Sequence, residues 1–304
     1  MKERVRWGMW YDSVMHPPRF SMPCARHARR FVLLLGIGVQ ACGEAAEHRG
    51  GDSGATVQAP APAPAPLVVV DTTLTATRCV ALSSCATVSL TMPRLALRPG
   101  LPPADSAALA PIVRALGDSL RALAGLPLGA PLQGAVDGTR DRLFRQLRAA
   151  GRRMTDWGMG FSSQTTVQVR WQSTRVLTVE LETSSFTGGA HGDYAATLRS
   201  YDLRTGAPIP VTAMVRDTAA LVPMLEAGFA RAKADSGTAP PPLRELLYPE
   251  VQRLPVSGHA GIVADGIRFL YNPYEVASWA VGRTDILLTW EQLGALAART
   301  PWGG

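Results

Sequence analysis

The sequence predicts an α+β protein, an antiparallel sheet or sheets with segregated packing helices, placed after a signal peptide and a disordered tether. Three observations predict it. From Thr165 onward apolar residues alternate with polar ones at a period of two, as in half-buried strands. Over 111–125 and 141–150 they recur instead at helical spacing. The segments also arrive as runs of strands interrupted by helices, without the strict alternation of a parallel α/β sheet. A chain of 304 residues, 46% hydrophobic and 18% charged, has material for one large or two small cores.

The N-terminal part lies outside that core. Residues 31–41 (FVLLLGIGVQA) form an apolar run preceded by Arg26, Arg29 and Arg30. It is about half the ~20 residues that a membrane-spanning helix needs, and it reads as the apolar region of a signal peptide covering 1–41. Met22 would give a signal of ordinary length, so residues 1–21 are expected to be a start-site artefact. Val39-Gln40-Ala41-Cys42 resembles a bacterial lipoprotein cleavage site, which makes Cys42 the expected lipidation residue and the membrane an expected partner. A plain secretory signal is the alternative. Residues 42–72 then read as a Pro/Ala-rich tether containing APAPAPAP at 59–66, extended and unable to bury enough apolar area to fold.

The charge points the same way. Lys and Arg number 31 against 24 Asp and Glu, a formal +7, but seven of the bases and two of the acids precede Cys42, so the rest of the chain carries only +2. That removes the electrostatic case for a nucleic-acid partner. Cys79 and Cys85, the only cysteines after Cys42, are expected to close a disulfide across a short loop, as in an exported protein. Zinc is the alternative, but thiolate sites want four ligands and the sequence offers few. No metal and no cofactor is expected.

Residues 73–160 read as an N-terminal α+β subdomain. Strands over 74–80 and 86–92 flank the cysteines. In PIVRALGDSLRALAG, Ile112, Val113, Leu116, Leu120 and Leu123 mark an amphipathic helix, with Pro111 suited to its first turn and Gly125 to its C-cap. A second helix over 141–150 places Leu143, Phe144 and Leu147 on one side.

Residues 161–304 read as a C-terminal α+β domain. An antiparallel meander runs through Val167, Val169 and Trp171, then 176–181, then 194–203, followed by a turn at Thr205-Gly206. A helix is expected over about 217–233, kinked at Pro223. Strands follow over 267–271 and 285–288, and a last helix opens at TWEQ, where Thr289 and Gln292 have capping-box spacing.

Two segments stand apart from these elements. FTGGAHGDYA (186–195) sets Gly188, Gly189 and His191 between two strands. Its glycines permit positive φ, so the loop is a tight corner, a recognition loop including Thr187, or a catalytic loop with His191 as general base beside Asp193. YNPYEVASWAVG (271–282) carries Pro273, Tyr274, Glu275 and Trp279. Rigid aromatics beside a Pro-fixed loop suit recognition surfaces. They suit equally a plug for the end of the core, with Glu275 capping a turn or pairing with an arginine such as Arg283. His259 is expected to be a satisfied loop histidine.

These same motifs carry a resemblance. FTGGAHGDYAATLRSYDLRTGAPIPV followed by GIRFLYNPYEVASWAVGRTDILLTWEQL, with their GGAH and NPYE signatures, resembles the extracytoplasmic C-terminal domain of the RsiV family, found also beside the catalytic domain of PdaC-type peptidoglycan deacetylases. The likeness covers about 160–298, and the preceding part (ATVSLTMPRL and the helix after it) is similar to the domain of unknown function that usually comes first in these proteins. The resemblance implies an α+β fold, an envelope location and, from its anti-sigma member, a lysozyme-binding outer domain. It does not extend to transmembrane signalling, since the apolar run is short, nor to deacetylation, since the Asp-Asp and His-x-x-x-His ligand pattern of that catalytic domain is missing from the sequence. The expected function is a lipid-anchored, non-catalytic envelope protein whose partner is a lysozyme-like protein or peptidoglycan. A cell-wall hydrolase using His191 with Asp193 or Glu275, and a purely structural envelope protein, are the alternatives.

Overall fold

The computed structural model describes residues 64–81, 84–151, 160–234 and 238–298. The expected signal peptide, Cys42 and the tether up to residue 63 lie outside the described residues. Chain order begins with a long hairpin, β1 (Leu67–Ala81) and β2 (Ser84–Leu97), closed near its tip by the Cys79–Cys85 disulfide. The strand starts before the expected end of the tether at 72. Leu67-Val68-Val69-Val70 has the β-branched composition of a strand, and Leu67 is buried in the core, so 67–72 belong to the sheet.

Helices α1 (Pro103–Leu123) and α2 (Leu132–Ala149) follow. Pro111 lies inside α1, not in its first turn. Pro103 takes the first-turn role, and the alanine-rich stretch after it has enough intrinsic propensity to carry the helix upstream of its buried face. Gly125, at φ 67°, ends α1 as expected: its N–H donates to Ala122 O and that of Leu126 to Arg121 O, closing the C-terminus in a Schellman pattern. The second helix begins nine residues earlier than expected and buries Val136 besides Leu143, Phe144 and Leu147.

The meander is present as β3 (Phe161–Gln172), β4 (Val176–Phe186) and β5 (Asp193–Asp202), with a two-residue β6 (Pro208–Ile209) on β5. A third long helix, α3 (Val222–Ala232), has Pro223 in its first turn, where no N–H is missed, so no kink results. Then come β7 (Ala260–Val263), β8 (Gly266–Tyr271) and β9 (Thr284–Thr289), and the TWEQ turn shows both capping-box bonds between Thr289 and Gln292.

The sheet is mixed, not purely antiparallel. Its order is β1-β2-β3-β4-β5-β7-β8-β9, and β2–β3 and β5–β7 are parallel because helical connections return the chain to the end where the preceding strand began. One core cluster packs α1 and α2 on β1–β5, through residues such as Leu116, Leu120, Val88, Leu90, Leu177 and Tyr201; a second packs α3 on β7–β9. The described residues fall in one compact unit, and β3 lies beside β2 in a single sheet. Gly261 lets β7 press on β4 and β5, since a Cβ there would come within 2.7 Å of Thr178 and 2.8 Å of Leu198.

Candidate functional site

Strands β4 and β5 end side by side, and the corner joining them holds Gly188 and Gly189 at φ 97° and 103°. Those angles bring the chain round in six residues and leave the His191 side chain exposed at the rim. The β8–β9 loop reaches the same rim from the other side. It is anchored by Asn272, whose Oδ1 accepts from Ala196 N at 2.6 Å while its Nδ2 donates to Ala196 O at 3.0 Å, so a side chain extends the ladder past the end of β8. Glu275 caps the turn by accepting from Asn272 N at 2.8 Å. Of the two structural roles expected for it, capping is the one observed.

The loops meet through aromatic rings. His191 stacks on Trp279 with ring centroids 4.4 Å apart and planes 12° apart, and Tyr274 leans on both at 5.7 and 6.3 Å. The contact between His191 Nδ1 and Gly192 O is 2.9 Å, and a carbonyl only accepts, so Nδ1 carries the proton. In the neutral ring Nε2 is then the acceptor for the Tyr274 hydroxyl at 3.3 Å. Both ring nitrogens are thus engaged, with partners other than Asp193. Tyr274 is 55% exposed and is the one non-glycine residue of the described chain at positive φ, 67°. It is no plug of the core. Thr187 and Gly189 are exposed, Pro273 is half-buried beside Asn272, and His259 Nε2 lies 4.0 Å from Glu275 Oε2.

Just beneath this rim lies a charged cluster that the sequence did not reveal as a unit. Glu180 on β4 is buried, and its carboxylate is 2.7 Å from Arg170 Nε and 2.6 Å from Arg283 Nη2. Arg283 also reaches Glu182 at 2.6 Å, the Tyr194 hydroxyl at 2.6 Å and Asp285 at 3.1 Å, and Arg268 pairs with Asp285. Burial pulls the Glu182 pKa up, but the hydrogen bonds it receives and the Arg283 charge outweigh that and leave it below the ordinary value. Burial opposes the charge on Arg283, yet Tyr194 and Glu180 raise its pKa. Lys233 at the end of α3 donates to the carbonyls of Val281 (2.7 Å) and Arg283 (2.9 Å), fixing the segment between Trp279 and β9. Among the described residues no group of three or more His, Cys, Asp or Glu is placed to hold a metal ion. Alternation along β4 and β5 was the signal that could have found the cluster, because it puts Glu180, Glu182 and Tyr194 on one face.

Residues 219–291 match the model of the DUF3298 family, proteins of unknown function. The matched stretch runs from the lead-in of α3 into the last helical turn, so it includes the Tyr274–Trp279 loop and leaves out the His191 corner. A DUF3298 family protein from Bacteroides fragilis is similar in structure, with TM-score 0.60 and 16% identity over 78% of this chain and 97% of its own. Another from Pseudomonas aeruginosa aligns at TM-score 0.46 and 20% identity over 77% of this chain and 94% of its own. The first likeness supports the fold. No curated protein matches in sequence.

Proposed function

We propose that this is a non-catalytic recognition protein of the bacterial cell envelope, lipid-anchored through Cys42, and that the His191–Tyr274–Trp279 edge engages a protein partner. The observation that carries the reading is the pre-stacked aromatic trio built by two loops from opposite sides of the rim, with His191 and Tyr274 exposed and Trp279 half-buried beneath them. Rigid rings give contact area at low entropic cost, and tyrosine and tryptophan dominate binding hot spots. The trio stands on a rim, a shape suited to a protein surface. The RsiV-like sequence motifs support an envelope setting and make a lysozyme-like protein the first partner to try. Both nitrogens of His191 are engaged, one by a backbone carbonyl and one by the Tyr274 hydroxyl, which favours recognition over hydrolysis.

The test is binding of lysozyme and of envelope proteins by the purified chain and by its His191→Ala and Tyr274→Ala variants. The reading expects an affinity loss of about 2 kcal/mol for an anchor residue, with nearly unchanged melting temperature. Substitutions that lower the melting temperature while the folded fraction binds normally refute it. Release of muropeptides from peptidoglycan by the wild type, lost in His191→Ala, would establish the hydrolase instead.

A further inference from the structure

The face of β1–β4 opposite the helices carries a regular array of hydroxyl and amide groups. Leu74, Ala76, Val88, Leu90 and Val167 enter the core with α1 and α2, so the residues alternating with them point to the other side. The strand registers align those residues in three rows. Thr77 pairs with Thr87, Thr87 with Ser162, and Ser162 with Phe186, where this row ends in an aromatic ring. The middle row runs Thr75, Ser89, Gln164 and Ser184, and the third runs Thr73, Thr91 and Thr166. Direct bonds confirm the alignment: the hydroxyls of Thr73 and Thr91 are 2.9 Å apart, those of Thr77 and Thr87 are 3.2 Å apart, and Gln164 Nε2 donates to Thr166 Oγ1 at 3.5 Å. Thr73, Thr75, Thr77, Ser162 and Gln164 are exposed. The middle and third rows lead to a depression of about 190 Å³ lined by Gln164, Thr166, Glu182, Thr183, Ser184 and Tyr194.

We propose that this face binds an extended, uncharged polysaccharide strand. Sheet geometry repeats the polar groups about every 4.8 Å across the strands and about every 6.8 Å along them, and each hydroxyl both donates and accepts. A chain of sugar rings offers the matching set of donors and acceptors at comparable spacing. Charge complementarity selects the same occupant. The rows hold no ionised side chain until Glu182, which is neutralised by Arg283. A polyanion or an anionic lipid surface finds no unpaired cation there, and a protein partner finds no large apolar anchor in the middle and third rows. This surface is separate from the aromatic rim, so either assignment can fail alone.

The experiment titrates the full-length protein with chitohexaose and, separately, cellohexaose, two uncharged chains that differ in their acetamido groups. Saturable binding to at least one is expected; tighter binding of chitohexaose identifies an N-acetylated polymer, and equal binding a lattice that reads hydroxyls alone. Both results support the proposal. The variant Thr75→Val/Ser89→Ala/Gln164→Ala keeps β-branching at the edge strand and removes three polar groups from the middle row, which should weaken binding about tenfold or more. Tyr274→Ala should leave it unchanged. If the triple variant melts early, Thr75→Arg on the exposed edge strand replaces it, blocking the centre of the face. Failure of both oligosaccharides to bind, or full affinity in the folded blocking variant, overturns the proposal.

Discussion

Two polar assemblies share one corner of the molecule, four residues apart in the chain, and they are built on opposite terms. The cluster around Arg283 is closed: Glu180 is buried between Arg170 and Arg283, and Glu182, Tyr194 and Asp285 complete the set. Every charge there is answered by another, which is what a structural element requires. The cluster around Tyr274 is open. Its rings lean on one another at the rim, and one of them stands on a left-handed backbone. Burial accounts for the first assembly and not for the second, so a purpose beyond folding is sought in the second.

Breaking the closed cluster should have the largest effect. Arg283→Met keeps much of the side-chain volume and strips Glu180 of one of its two guanidinium partners. A stability loss of about 3 kcal/mol is expected, at the low end for a broken buried pair because Arg170 remains. Urea unfolding reads it directly, and a loss below about 1 kcal/mol would show that the cluster is not a structural clamp. Asn272→Ala comes next. It leaves the buried N–H and C=O of Ala196 without the side-chain partner that extends the ladder, a cost of about 2 kcal/mol. It should also loosen the rim, so its tyrosine and tryptophan signals should broaden in NMR spectra while those of the β1–β2 hairpin stay sharp.

Acid tests the buried ion pairs. Burial raises the pKa of Asp202, but hydrogen bonds from Arg175 and from the Arg204 backbone outweigh it and hold the folded value below 3.8; Glu182 is likewise held below 4.5. A carboxylate whose folded pKa is depressed contributes stability above its unfolded pKa and loses it as the pH falls through the folded one. Stability should therefore fall as the pH drops below about 4, where these carboxylates take up protons in the unfolded chain before the folded one. Denaturation midpoints against pH check this, and Asp202→Asn should make the acid fall shallower. A partner's affinity that tracked this same acid window would tie the binding edge to the closed cluster.

The contrast also explains what could be read from the sequence. Periodicity found the meander, and spacing alone found the cap at Thr289-Gln292 and the Gly125 terminus, because those signals are local. The GGAH and NPYE segments stood out by composition, though nothing local says that His191 and Trp279 stack. That contact depends on a sheet whose strands β5 and β8 are joined by the side chain of Asn272, some 76 residues from its partner. The Arg283 cluster draws on four strands or their ends and was hidden for the same reason. Pro111 and Pro223 were misread because a proline marks a constraint without saying on which side of it a helix begins. The parallel joins of β2 to β3 and β5 to β7 follow from where helices return the chain, a tertiary fact that strand alternation does not carry.

The smallest expected change in stability is the most telling. Tyr274 holds φ at 67°, a conformation that costs a non-glycine residue about 1–2 kcal/mol. What the ring gains in exchange is modest, since it is more than half exposed and its hydroxyl makes a 3.3 Å contact with His191. Tyr274→Gly removes the backbone cost and the ring contacts together. The two nearly cancel, and the melting temperature should stay level or rise slightly, whereas Tyr274→Ala keeps the strain and loses the ring, so its melting temperature should sit only marginally below that of the wild type. Partner binding should be lost equally in both. A glycine variant that is as stable as the wild type and does not bind shows that the strain is kept for the sake of the exposed ring. One that is clearly destabilised shows that the ring supports the fold, and the open cluster then joins the closed one as structure.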